Sequence, residues 1–105
     1  MAQYDLYANP NAAQRPAYPY VVVLQTDQLD HYTTRMVMPL ARLTLPPIRL
    51  PRNLTQTVSV NGEALYLAAH LCAALPAKQL KAPLDSLRSQ SGVLLSTLDA
   101  VISGV

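Results

Sequence analysis

The dipeptide Asn61-Gly62, set between two runs of strand-like residues, constrains this chain more than any other feature. Thr57-Val58-Ser59-Val60 alternates polar with apolar ahead of it, and Ala64-Leu65-Tyr66-Leu67 returns after it. Alternation with a period of two gives a strand one dry face and one wet face. Asn and Gly both tolerate the positive φ that the central residues of a type I′ turn require, and that turn joins antiparallel strands. The spacing predicts a β-hairpin.

Other segments read as further strands. Tyr4-Asp5-Leu6-Tyr7 alternates and predicts a short one, Asn9-Pro10-Asn11 marks a turn, and loop continues to Pro19. Tyr20-Val21-Val22-Val23-Leu24 is a largely β-branched run of strand length, the pattern of a strand covered on both faces. Thr26 to Asp30 is polar and is expected to leave the sheet. Met36-Val37-Met38 predicts another strand, closed by Pro39, which has no N–H for a ladder. Pro46, Pro47 and Pro51, between Leu43 and Leu54, exclude a central strand or helix and predict an extended surface connection.

Two further stretches are rich in apolar residues. From Glu63 to Leu75 propensity favours a helix, while the hairpin demands a return strand through Leu67 at least. Local reasoning leaves both open, and Pro76 ends the element either way. The C-terminal stretch predicts a helix over Gly92–Ile102. Ser91 stands as N-cap, and Leu94, Leu95, Leu98, Val101 and Ile102 fall at helical spacing. Ser96, Thr97 and Asp99 fall on the opposite face, and Gly104 stands where a C-cap glycine belongs.

The chain has 105 residues, half of them apolar and 13% charged, which suits one domain spanning 1–105 with a packed core. Without Phe or Trp, that core is built mainly from Leu, Val, Ala and Met, with six Tyr as the only aromatic residues. The net charge of +2 comes from basic residues scattered singly, not from the clustered stripe expected of a nucleic-acid binder. Cys72 is the single cysteine, so no intrachain disulfide forms and a reducing compartment fits. No leader-like or membrane-length apolar run occurs, and the expected location is the cytoplasm.

Few residues suggest chemistry. His31 and His70 are far apart. A small hydrolase using Cys72 and His70 is conceivable, but their two-residue spacing in a strand points both side chains in parallel. Cys72 reads more simply as a small buried apolar residue. Asp27 and Asp30 fit a solvated turn, three glycines make no phosphate cradle, and no closed zinc ligand set or cofactor motif is present. The expectation is a protein that is not an enzyme and uses neither metal nor cofactor.

Two stretches resemble a known family. Val23-Leu24-Gln25-Thr26-Asp27-Gln28-Leu29-Asp30, followed by Thr34-Arg35-Met36-Val37-Met38-Pro39-Leu40-Ala41, is similar to the most recognisable part of CcdB, the toxin of a type II toxin–antitoxin pair. Leu54, Val58-Ser59-Val60, Gly62, Leu71 to Pro76 and the terminal Gly104-Val105 extend the likeness, which runs from about Tyr18 to Val105. The resemblance implies a mainly β fold, an SH3-like barrel or antiparallel sheet of about five strands with a small β extension and a C-terminal α-helix. It turns Glu63–Leu75 towards β-structure. It also implies a homodimer that poisons a topoisomerase, by default the DNA gyrase A subunit. A cognate CcdA-like antitoxin with a disordered tail would neutralise it and repress the shared operon, so that DNA is reached only through that complex.

Carried onto this sequence, the resemblance places the partner-binding residues at Leu29, Asp30, Asp99, Ser103, Gly104 and Val105. The chain keeps the pattern at Leu29, Asp30 and Gly104 and departs from it at Asp99, where Asn is more usual, at Val105, where Ile is, and above all at Ser103. Family members end in Trp-Gly-Ile, and Ser103 replaces a Trp that stacks on an arginine of gyrase. Losing such an anchor costs about 2–4 kcal/mol of binding when nothing compensates. A non-toxic or retargeted homologue acting as an antitoxin-binding or regulatory protein is therefore the alternative.

Overall fold

A computed structural model of the chain describes residues 2–29, 31–43 and 56–103. Among these residues seven strands, β1 (Asp5–Ala8), β2 (Tyr20–Val23), β3 (Thr34–Arg42), β4 (Thr57–Val60), β5 (Glu63–Leu67), β6 (Ala73–Pro76) and β7 (Asp85–Ser86), precede one helix, α1 (Ser91–Ser103). The strands form a curled antiparallel half-barrel in the order β4-β5-β3-β2-β1-β7, with β6 also paired to β3. This is the mainly β fold with a C-terminal helix that the sequence predicts. The strands beyond the expected five include the two-residue β7, which is too short to carry a hydrophobic period.

The hairpin forms as its turn residues dictate. Asn61 and Gly62 both take positive φ, 51° and 82°, and Val60 pairs with Glu63. Val58, Val60, Leu65 and Leu67 are buried while Thr57, Ser59 and Ala64 face outward. The outer edge of β4 is not left bare. The Gln90 side chain accepts from the Ser59 N–H and donates to the Ser59 C=O, both at 2.9 Å, the pairing a neighbouring strand would make.

Strand β3 is longer than expected, because Pro39 lies inside it. Leu24 N–H donates to Met36 C=O (2.9 Å) and Ala68 N–H donates to Pro39 C=O (3.0 Å), so even-numbered residues bond towards β2 and odd-numbered ones away from it. On that far side β6 pairs with Thr34–Val37 and β5 with Leu40–Arg42. The Pro39 nitrogen therefore faces the gap between β6 and β5, where the ladder has no use for a donor.

Between β5 and β6 a 3-10 turn, Ala69–Leu71, interrupts the β-structure, so His70 sits in a turn and not in a strand with Cys72. After β2 a second such turn, Asp27–Leu29, leaves the sheet as expected. The proline-rich connection lies outside the described residues.

Burial occurs on both faces of the sheet. Leu6, Val22, Met38, Leu40, Val58, Val60, Leu65 and Leu67 pack with Leu87 and Leu94 on the helix side, while Tyr7, Val21, Val23 and Val37 pack with Leu80 on the other. The Val21–Val23 run thus serves two cores, as its composition predicts.

Helix α1 begins and ends within a residue of expectation, but two details differ. Ser91 already has helical dihedrals (φ −59°, ψ −31°) and closes the 3-10 turn Arg88–Gln90, so it is not an N-cap. Thr97 is fully buried, with its Oγ1 donating to the Val93 C=O at 2.8 Å. That bond satisfies the hydroxyl inside the helix and leaves the methyl to pack. Leu95 and Ile102, by contrast, are 51% and 77% exposed.

Truncating Leu94 to Ala should destabilise the protein by about 2–5 kcal/mol in urea unfolding, through lost burial and a residual cavity. Gly62→Ala should cost only about 1–2 kcal/mol, because a Cβ there meets nothing within 4 Å and only the φ is unfavourable. A larger loss at Gly62 than at Leu94 would contradict this account of the core.

Candidate functional site

The outward face of α1 is the first candidate surface. Leu95, Asp99 and Ile102 fall at i, i+4 and i+7, which aligns them along one side, and all three are exposed. Leu94, Thr97, Leu98, Ala100 and Val101 occupy the side turned to the core. The stripe therefore consists of two aliphatic side chains flanking a carboxylate, and Ser103 closes the helix just beyond it.

Leu29, 39% exposed, lies at the end of the Asp27–Leu29 turn. A hydrogen-bond network fixes that turn. Asp27 Oδ1 accepts from the Gln3 N–H (2.7 Å), and Gln3 Nε2 donates to the Leu24 C=O (3.0 Å). Arg88 donates to the Gln3 C=O (3.3 Å), with its guanidinium 5.7 Å from the centre of the Tyr4 ring. From the other side Gln25 Nε2 donates to the carbonyls of Leu29 (3.1 Å) and Thr34 (3.2 Å), while its Oε1 accepts from the Met36 N–H (3.1 Å). Tyr4 itself is buried with a positive φ of 71°, a strained conformation for an aromatic residue. Leu87 N–H bonds to its carbonyl (2.8 Å), and Tyr4 N–H bonds to Val23 C=O (2.7 Å), which together hold it there.

Of the six residues expected at the site, Leu29, Asp99 and Ser103 fall among the described ones; Asp30, Gly104 and Val105 lie outside them. Asp99 and Ser103 share the last turns of α1. The Leu29 turn is tied through Asp27, Gln3 and Arg88 to the approach to the helix start, and α1 is about 20 Å long at 1.5 Å per residue. Sequence reasoning set Leu95 and Ile102 on one apolar stripe with Leu94, Leu98 and Val101 and missed that the helix divides it, leaving those two exposed. It also missed Gln3, Gln25 and Arg88, which carry no motif and meet the turn only through the fold.

Cys72 is half-buried against the main core, and burial pushes its thiol above the ordinary range. Neighbouring His70 is exposed. A thiol raised in this way is the opposite of an activated nucleophile. Among the described residues no group of three potential metal ligands assembles, and no helix is long and apolar enough to cross a membrane.

A half-barrel sheet covered by one terminal helix is the architecture that the resemblance implied. The family model described as CcdB protein matches residues 3–104, essentially the whole chain. The protein belongs to the CcdB family, whose members are toxins of toxin–antitoxin pairs. No curated protein gives a significant match to the chain.

At pH 7.5 Cys72 should react with iodoacetamide several-fold more slowly than glutathione, and accelerate only as the pH passes above the usual thiol range. A rate equal to or above that of glutathione would reopen the hydrolase reading.

Proposed function

We propose that this protein is a CcdB-type toxin that binds and poisons a topoisomerase in the cytoplasm, the DNA gyrase A subunit being the first candidate. It would act as a homodimer and be silenced by a CcdA-like antitoxin. The observation that carries the reading is the exposed stripe Leu95–Asp99–Ile102, which leads to Ser103 at the end of α1. Poisoning of this kind needs a rigid wedge and no bond-making. Leu95 and Ile102 supply apolar surface, Asp99 offers a carboxylate to a basic partner, and Leu29 adds a second contact from a tethered turn, with Asp30 the next residue in sequence. In this picture Gly104 allows close backbone approach and Val105 fills a small apolar pocket.

Ser103 favours a second reading. A serine cannot stack on an arginine, so a homologue that keeps the antitoxin but has lost gyrase is the alternative. It predicts no growth arrest on expression, together with tight binding to a short protein encoded beside it.

Purified protein in gyrase supercoiling and cleavage assays should trap cleaved complexes. Deleting Ser103–Val105 should abolish trapping while the chain stays folded. Activity that appears only in Ser103→Trp would select the second reading, and an unchanged truncation would remove the site assignment.

A further inference from the structure

The sheet face opposite α1 holds a cleft of about 1070 Å3. Its floor is apolar, built from Val21, Val37, Pro39 and Leu75. One wall is the loop from Asn9 to Tyr18 and the other runs from Lys78 to Ala82. Arg15, Lys78 and Lys81 project at its rim, and no carboxylate is found among the described residues that line it. Three of the chain's eight basic residues thus gather at one opening, although the sequence scatters them singly.

Both walls are built before anything binds. Asn9 is buried, its Nδ2 donating to the Tyr18 C=O (2.9 Å) and its Oδ1 accepting from the Asn11 N–H (3.0 Å). Arg15 Nε donates to the Asn9 C=O (2.6 Å), which holds the guanidinium against the loop with its other N–H groups free to turn to the cleft. On the opposite wall Ala77 N–H donates to the Thr33 C=O (2.8 Å), and buried Leu80 anchors the segment between Lys78 and Lys81. Preorganised walls lower the ordering cost of binding.

We propose that this cleft is a docking site for an extended protein segment in which apolar and acidic side chains alternate. Alternate side chains of an extended chain point to opposite sides, so apolar ones can reach Pro39, Leu71 and Leu75, the accessible apolar part of the lining, while carboxylates meet the cationic rim. The side-chain amides of Gln14 and Gln79, both exposed, line the cleft and are available to the segment's backbone. Nucleic acid fits less well, because among the described residues Tyr18 is the only aromatic ring along the lining, where several would be needed to stack bases. The proposal uses nothing of α1 and stands or falls apart from the toxin reading.

The test is a fluorescence-anisotropy titration of the full chain with a twelve-residue peptide alternating Glu and Val. The same peptide with Gln for Glu, and a single-stranded oligonucleotide, serve as comparisons. The acidic peptide should bind best, and the double variant Lys78→Glu, Lys81→Glu should weaken it by about tenfold while keeping the parent melting temperature. Backbone NMR shifts on adding the acidic peptide should map to residues 9–18 and 78–82. Equal binding of the Gln peptide, tighter binding of the oligonucleotide, no binding, or shifts confined to α1 would each overturn the proposal.

Discussion

Strand β3 is shared by three neighbours, and the arrangement of the molecule follows from how its hydrogen bonds are divided. Along one edge it holds β2 from Val37 to Leu40. Along the other it holds first β6 and then β5, which run in succession down the same side. Pro39 marks the division, since a residue without an N–H fits where one partner has ended and the next has begun. The chain crosses that gap as the turn Ala69–Leu71, and α1 packs against this turn. The seat of the helix therefore depends on a break in the ladder of β3.

The second constraint is burial on both sides of β2. Three consecutive valines leave no wet face, so something must cover each side. On one side α1 and the β4–β5 hairpin supply a full core. On the other the cover is thin, with Leu80 and the half-buried Leu75 as the apolar residues added from beyond the strands. Without Phe or Trp to span the remaining distance, that face closes incompletely and the basic cleft is what remains open.

Local chemistry made part of this legible in the sequence. The Asn61-Gly62 turn is set by two residues and their φ, and the Val21–Val23 run by its own composition, so neither needs tertiary knowledge. Pro39 was misread because the cost of a proline in a strand depends on which edge its missing donor faces, which only pairing reveals. Thr97 and Leu95 exchanged roles for a related reason: helical periodicity counts apolar residues but does not rank a threonine whose hydroxyl bonds its own helix. Propensity over Glu63–Leu75 yielded to the hairpin's demand for a partner, a tertiary effect that outweighs differences of roughly 0.5 kcal/mol per residue. At the candidate site, Leu29 and Asp99 were legible through resemblance alone. The tethers from Gln3 and Arg88 join residues 85 positions apart, and no local signal announces them.

An apolar stripe left on a terminal helix bears on what Ser103 means. Ile102 is three-quarters exposed and Leu95 half exposed, so covering the two would contribute roughly 2–4 kcal/mol at the usual transfer coefficient. A tryptophan anchor is worth about the same. The surface of α1 therefore retains, two turns wide and next to the chain's end, apolar contact energy comparable to what the serine gives up. What the serine removes is the direction of that energy: a flat ring stacks on a guanidinium in one geometry, while aliphatic side chains pack against many shapes. On the proposed reading, with Asp99 set between Leu95 and Ile102, a charge contact would orient the partner in place of a stacked ring, and binding there would depend more on ionic strength than at a tryptophan-anchored interface.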